Sequence, residues 1–270
     1  MLLSLAALAT LAAPALAAEP MFNASLSASY WALGAQLEAA PGVKFALWNQ
    51  PDNILFTDTF LKAEMRLVVS PAYARLVPTI IFSPIAVLEI EAHYAGSVYF
   101  GSFSTIKSFA SPDADYAEVE LDKLTGQAGA GQRGGGTVTL QGAAGPMLFA
   151  IWGEAERWST TPFDGRDGCC FFEAEREVLM AWEDTFLSAN GVVLYERTIN
   201  ADKGSKFRIG NMTNYQTAVA TGDELLRTGL ITVYTVDRHW TALLVVQPYI
   251  ISRAWPTFPP YVGAQVNYSL

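Results

Sequence analysis

The chain has 270 residues, of which 51% are hydrophobic and only 16% charged, whereas an ordinary soluble domain carries about a quarter charged residues. Its mean hydropathy is +0.22, yet past the N-terminal segment no apolar run of ~20 residues is free of helix breakers, which excludes a bundle of membrane helices. A net charge of −9 without a basic stripe excludes a nucleic-acid partner.

The chain opens on an almost unbroken Leu/Ala run, Leu2 to Ala13, followed by Pro14 and the small-x-small triplet Ala15-Leu16-Ala17. That is the pattern of a secretory leader, although no Lys or Arg precedes the run. Residues 1–18 are therefore expected to be a signal peptide and 19–270 a single domain.

Beyond the leader the sequence alternates with a period of two, the signature of strands whose side chains point alternately to opposite faces. Strands are predicted at 23–37, 43–49, 61–67, 73–83, 88–100 and 115–122. Further along they are predicted at 137–143, 149–156, 173–187, 192–199, 206–219, 224–236, 240–253 and 262–270. The segment Leu88 to Phe100 shows the pattern most fully. Leu88, Ile90, Ala92, Tyr94, Gly96, Val98 and Phe100 form one face, while Glu89, Glu91, His93, Ser97 and Tyr99 lie on the other. Pro78 and Pro248 fall inside predicted strands, so each requires a bulge or a strand end.

Tight turns are predicted at Ser70-Pro71, Ser83-Pro84, Gly145-Pro146, Asn190-Gly191 and Gly222-Asp223. The longer connections are 101–114, the Gly-rich 123–136 and 159–171. This strand list does not sort into short turns at one end and long loops at the other. The fold class is all-β, a closed antiparallel transmembrane β-barrel of about 12 strands within a range of 10–14. A soluble β-sandwich is the competing architecture.

Aromatic residues near predicted strand ends (Trp31, Trp48, Phe100, Trp158, Trp240 and Trp255) suit the membrane–water interface, where one side of the ring is apolar and the other can hydrogen-bond. In the last segment, Gly263-x-x-Val266-x-Tyr268 resembles the C-terminal signal of Gram-negative outer-membrane β-barrel proteins. The likeness covers the last ten residues, and the chain runs two residues beyond its tyrosine, to Leu270, where the class usually ends on Phe or Trp. The resemblance implies a bacterial outer-membrane location and recognition by the barrel-assembly machinery.

The residues expected to face the lumen are Lys62, Glu64, Arg66, Arg75, Glu89, Glu91, His93, Glu154, Glu156, Glu173, Glu175, Glu177, Arg208 and Arg227. Two arrangements fit them. In one they line a water-filled pore whose carboxylates favour cations, making a porin-like passive channel for small hydrophilic solutes. In the other they pair across the interior and plug it, leaving a closed barrel with a structural, adhesive or assembly role through its long loops. The expected partners are outer-membrane lipid, the assembly machinery and either a small solute or an envelope protein, with the chain a monomer.

A hydrolase is a third reading, because His93, Glu91 and Ser97 share a face. They are spread along the strand, however, and no signature of an outer-membrane lipase is present. Two isolated histidines and no spaced cysteines point to no metal, and Asp164 and Asp167 in the 164–168 turn are too few ligands for calcium. No cofactor is expected. The adjacent Cys169 and Cys170 could bond to each other, bond to another chain or remain free thiols.

Overall fold

Along each long strand the side chains alternate between a lipid-facing and an inward position, and a computed structural model of the protein shows these strands closed into a ring. It describes residues 18–30, 34–48, 50, 52–102, 105–117, 121, 124–256 and 260–270. In the first half of the chain the strands are β1 (Ala18–Tyr30), β2 (Gly34–Ala46), β3 (Phe60–Val69), β4 (Tyr73–Ile85), β5 (Leu88–Phe100), β6 (Lys107–Phe109), β7 (Ala128–Ala144) and β8 (Met147–Pro162). They are followed by β9 (Cys170–Glu173), β10 (Val178–Ala181), β11 (Glu183–Asn200), β12 (Ser205–Ala218), β13 (Asp223–Thr235), β14 (Trp240–Gln247), β15 (Tyr249–Ile251) and β16 (Tyr261–Ser269).

Twelve of these strands build an antiparallel wall in chain order, closed where β16 pairs with β1. Closure satisfies every strand edge, which a sheet in lipid requires. β15 prolongs β14 beyond Pro248, where the predicted proline break occurs. β6, β9 and β10 form a separate three-stranded sheet.

The outer surface is apolar in mid-strand. Leu26, Ile80 and Ile151 are 58%, 56% and 58% exposed, and the outward residues of β5 are the apolar set predicted for it. Such a belt would cost about 25 cal/mol for each Å² held against water, so it belongs in hydrocarbon. The protein is an outer-membrane β-barrel, in contact with membrane lipid. Near the strand ends Phe100, Trp48 and Trp240 are outward and roughly half exposed. Trp158, expected among them, instead points inward and is 2% exposed; Trp31 lies outside the described residues, and Trp255 packs near Tyr249.

Several predicted boundaries shift. The 23–37 segment is two strands: the outward positions are even-numbered in β1 (Leu26, Ala28, Tyr30) and odd-numbered in β2 (Leu37, Pro41), so the alternation changes phase between them; the 43–49 segment belongs to β2. Most of the Gly-rich stretch is wall: Gly129 to Gly136 lie in β7. A Cβ at Gly135 would lie 2.1 Å from the Ala155 carbonyl oxygen and 2.9 Å from Glu156 Cγ, so glycine here serves close approach rather than a loop.

Asn190-Gly191, read as a turn, sits mid-strand in β11 opposite Asn214 and Thr213, with Asn190 Oδ1 accepting a hydrogen bond from the Asn214 amide at 2.8 Å. β4 runs through Ser83-Pro84 to Ile85, so the turn falls at 86–87. The 173–187 segment is a turn, β10 and the start of β11 rather than one strand, and the described residues of 115–122 contain no strand.

With these corrections the connections sort in part. The termini and the short connections 86–87, 145–146, 201–204 and 236–239 share one end with the longer 47–59. The opposite end carries the long 101–127 and 163–182, together with 252–260 and the short 70–72 and 219–222.

Candidate functional site

Both long loops turn back over their own end of the barrel. β9 pairs with β6 on one side and β10 on the other, so one small sheet joins the 101–127 and 163–182 connections. Its apolar side chains pack with wall residues into a cap: Phe171 stacks on Trp182 with centroids 5.0 Å apart, and Tyr116 packs against Phe109 and Phe172. Trp158, Phe186 and Leu225 of the wall belong to the same buried clusters. The Tyr116 hydroxyl donates to Asp223, whose Oδ2 also accepts the Leu179 backbone N–H at 2.7 Å. Burial and the Asp223 carboxylate push the Tyr116 phenol well above its ordinary range.

The turn between β9 and β10 carries charge into the lumen. Glu177 adopts a left-handed backbone (φ 58°), and its N–H closes the turn on the Glu173 carbonyl at 2.7 Å. This turn meets the wall at three places. Glu175 accepts two hydrogen bonds from the Arg75 guanidinium, at 3.0 and 2.5 Å, and lies 3.7 Å from Arg133. Arg176 reaches Glu154 at 3.2 Å and Glu156 at 2.9 Å. Glu177 accepts from Arg227 at 2.9 Å and from the Tyr249 hydroxyl at 3.2 Å. The paired, two-pronged Arg–carboxylate contact is the geometry that gives such bonds strength and direction.

On the wall, alternation places the expected residues on neighbouring inward positions. Lys62 is 2.7 Å from Glu64, and Arg66 bridges Glu64 at 2.5 Å and Glu91 at 2.7 Å. His93 lies 3.2 Å from Glu91 and 2.7 Å from Glu156, and Arg133 lies 3.3 Å from Glu156. Glu89 lines the same face, half-buried. A space of about 110 Å³ remains among Glu38, Arg66, Arg75, Glu91 and Glu175, enough for several water molecules.

On the inserted turn, outside the spanning strands, burial and the neighbouring Glu175 carboxylate push Glu173 up to about 7. Burial acts on Glu175 in the same direction, but Arg75 and Arg133 outweigh it and hold that carboxyl well below the usual range.

Thirteen of the fourteen expected residues therefore concentrate around the lumen and its inserted turn, while Arg208 stands apart with Glu196, 2.7 Å away near the short-turn end. Arg227 joins the turn instead of a wall network, through Glu177. Glu173, Glu175 and Glu177 are not wall residues as their alternation suggested. The lining is also not polar all round: Ile231, Val233 and Val245 are inward and buried, with Val192, Leu194 and Met212 packed against them.

Sequence reasoning missed Arg133 and Arg176. Arg133 stands among glycines, which carry no side chains to show a period, and Arg176 lies in a turn, where only its place between Glu175 and Glu177 marked it.

The hydrolase arrangement does not form. His93 is engaged by Glu91 and Glu156, and the Ser97 hydroxyl accepts from Arg75 Nε at 3.0 Å. His93, Glu154 and Glu156 bring possible ligand atoms within 4.8 Å of one another, but Arg176 already lies against both carboxylates, and a cation would have to displace it. Cys169 and Cys170 are bonded to each other.

No family model matches the sequence, and no curated protein does either. Among solved structures, the barrel is similar to a KdgM porin in complex with disordered oligogalacturonate, with a TM-score of 0.44 and 10% identity over 93% of this chain and 99% of that one. It is similar to an outer membrane channel from Pseudomonas putida F1, with a TM-score of 0.39 and 10% identity over 96% and 97%. A third is the translocator domain of the autotransporter NalP from Neisseria meningitidis, with a TM-score of 0.38 and 10% identity over 93% and 87%. Similarity at this level carries nothing about what passes through or binds the barrel.

Proposed function

We propose that the barrel is a passage for small hydrophilic solutes whose lumen is shut in this conformation by the β9–β10 turn. One observation carries the reading: Glu175, Arg176 and Glu177 are each ion-paired to a different part of the wall, so the turn that enters the lumen is seated by polar contacts, beneath the apolar cap formed by its flanking strands. Polar contacts of this kind exchange readily for water when the turn withdraws, whereas a lumen filled by packed apolar side chains would not reopen to solute. Withdrawal would leave Glu38, Glu89, Glu91, Glu154 and Glu156 facing Lys62, Arg66, Arg75 and Arg133, a mixed wall that leans toward cations.

The same proposal takes residues 1–18 as an export leader and the Gly263, Val266 and Tyr268 pattern of β16 as the signal that the barrel-assembly machinery reads.

Planar-bilayer recording under a salt gradient tests the passage. The intact protein should be mostly silent with brief openings, and replacing residues 173–177 by a short Gly/Ser turn should give steady ohmic steps with a cation-leaning reversal potential. If the shortened protein inserts, resists protease and stays silent, the passage reading is wrong. A closed barrel acting through its loops would then stand, a reading favoured by the cap in which Phe109, Tyr116, Phe172 and Leu179 make the two long loops one packed surface.

A further inference from the structure

Two ladder gaps flank one hairpin of the wall. The β2–β3 ladder pairs Ala39 with Leu67 and resumes at Gly42 with Glu64, so the positions of Ala40 and Pro41 are skipped without a change of register. The β4–β5 ladder pairs Leu76 with Gly96 and resumes at Thr79 with His93, skipping Val77 and Pro78. A proline has no N–H to give to a ladder. The two gaps lie on either side of the β3–β4 hairpin, which is continuously paired through Met65 and Pro78. Both prolines are outward and exposed.

Between and beside these gaps the outer surface carries a shallow, open groove of about 740 Å³. Its small residues are Ala63 and Ala92, and its sides are built by Pro41, Met65, Ile80 and Tyr94. It lies midway along four spanning strands, at the level of the hydrocarbon. An aqueous solute cannot reach that depth from outside the barrel, and a headgroup does not reside there.

We propose that this groove is a binding site for one acyl chain of a membrane phospholipid, held between the two proline gaps. The small residues let a chain approach the backbone, and Met65 and Tyr94 flank it with a flexible and a flat apolar surface, so that a seated chain contacts more atoms than a chain lying on the convex wall elsewhere. The site does not depend on whether the lumen opens, and its test reads lipid rather than conductance.

The full-length protein is reconstituted in phosphatidylethanolamine vesicles with a small fraction of phospholipid carrying a diazirine midway along one acyl chain. After irradiation the adducts are mapped by mass spectrometry. Labelling of Met65, Ile80, Ala92 and Tyr94 should exceed that of the mid-strand, outward Leu26, Ile151 and Leu244 by about fivefold, the effect of roughly five to ten additional atom–atom dispersion contacts. Filling the groove with Ala63→Leu and Ala92→Leu, or with Ala92→Leu alone should the pair not fold, should bring its labelling down to that of the rest of the belt. Even labelling around the intact barrel, or a groove signal unchanged by filling, would overturn the proposal.

Discussion

Around the lumen, the arc from β3 to β8 and the arc from β11 to β14 occupy the same inward positions and are held by different means. On the first, Lys62, Glu64, Arg66, Glu91, His93, Arg133 and Glu156 form a chain of contacts no longer than 3.3 Å, joined by the inserted turn. On the second, Ile231, Val233 and Val245 pack with Val192 and Met212. The difference teaches that alternation along a barrel strand marks inside from outside, not polar from apolar. A charged arc needs partners to offset desolvation and therefore fixes where the inserted turn must sit; the apolar side chains of the second arc are satisfied by their own neighbours, and on that side the loop is held by Asp223 and Arg227 instead.

The largest expected effect breaks the charged arc. Glu156→Ala leaves His93, Arg133 and Arg176 facing one another without their shared, fully buried carboxylate. It should lower the unfolding free energy by about 3–5 kcal/mol, as loss of one partner of a buried pair does. Urea titration in lipid vesicles measures this, and a loss below ~1 kcal/mol would mean that water already compensates these groups.

On the other arc Ile231→Val removes one methylene and should cost about 1 kcal/mol in the same assay. The two sites share no partner, so the double variant should sum the two losses to within ~0.5 kcal/mol. Clear non-additivity would show that the arcs are coupled through the turn.

The smallest effect concerns pH. Glu173 titrates higher in the seated turn than when free, so its contribution to seating is complete below the ordinary carboxylate value of about 4.3 and is lost as pH rises through about 7. Openings in bilayer recordings should become more frequent between those limits, and Glu173→Gln should flatten the profile. A wild-type opening frequency that falls with rising pH would reverse the sign.

Much of the wall was legible residue by residue. β5 runs from Leu88 to Phe100, the segment predicted, with the predicted apolar residues outward and Glu91 and His93 inward. Where reading failed, local signals pointed elsewhere. Glycine carries no side chain, so Gly129 to Gly136 showed no period; Asn190-Gly191 is a strong turn signal overridden by pairing on both sides; and Glu173, Glu175 and Glu177 alternate in a turn as they would in a strand.

What the sequence alone determined is the class of object: scarce charge, period-two alternation and the absence of long apolar helices admit an outward apolar belt on a closed sheet. What only the tertiary structure decided is what fills that sheet. Partners such as Arg75 with Glu175, or Arg227 with Glu177, are 100 and 50 residues apart in the chain, and no local pattern pairs them. Closure of the ring brings the strands together and the returning loop supplies the opposite charge, so the state of the lumen is a property of the assembled barrel.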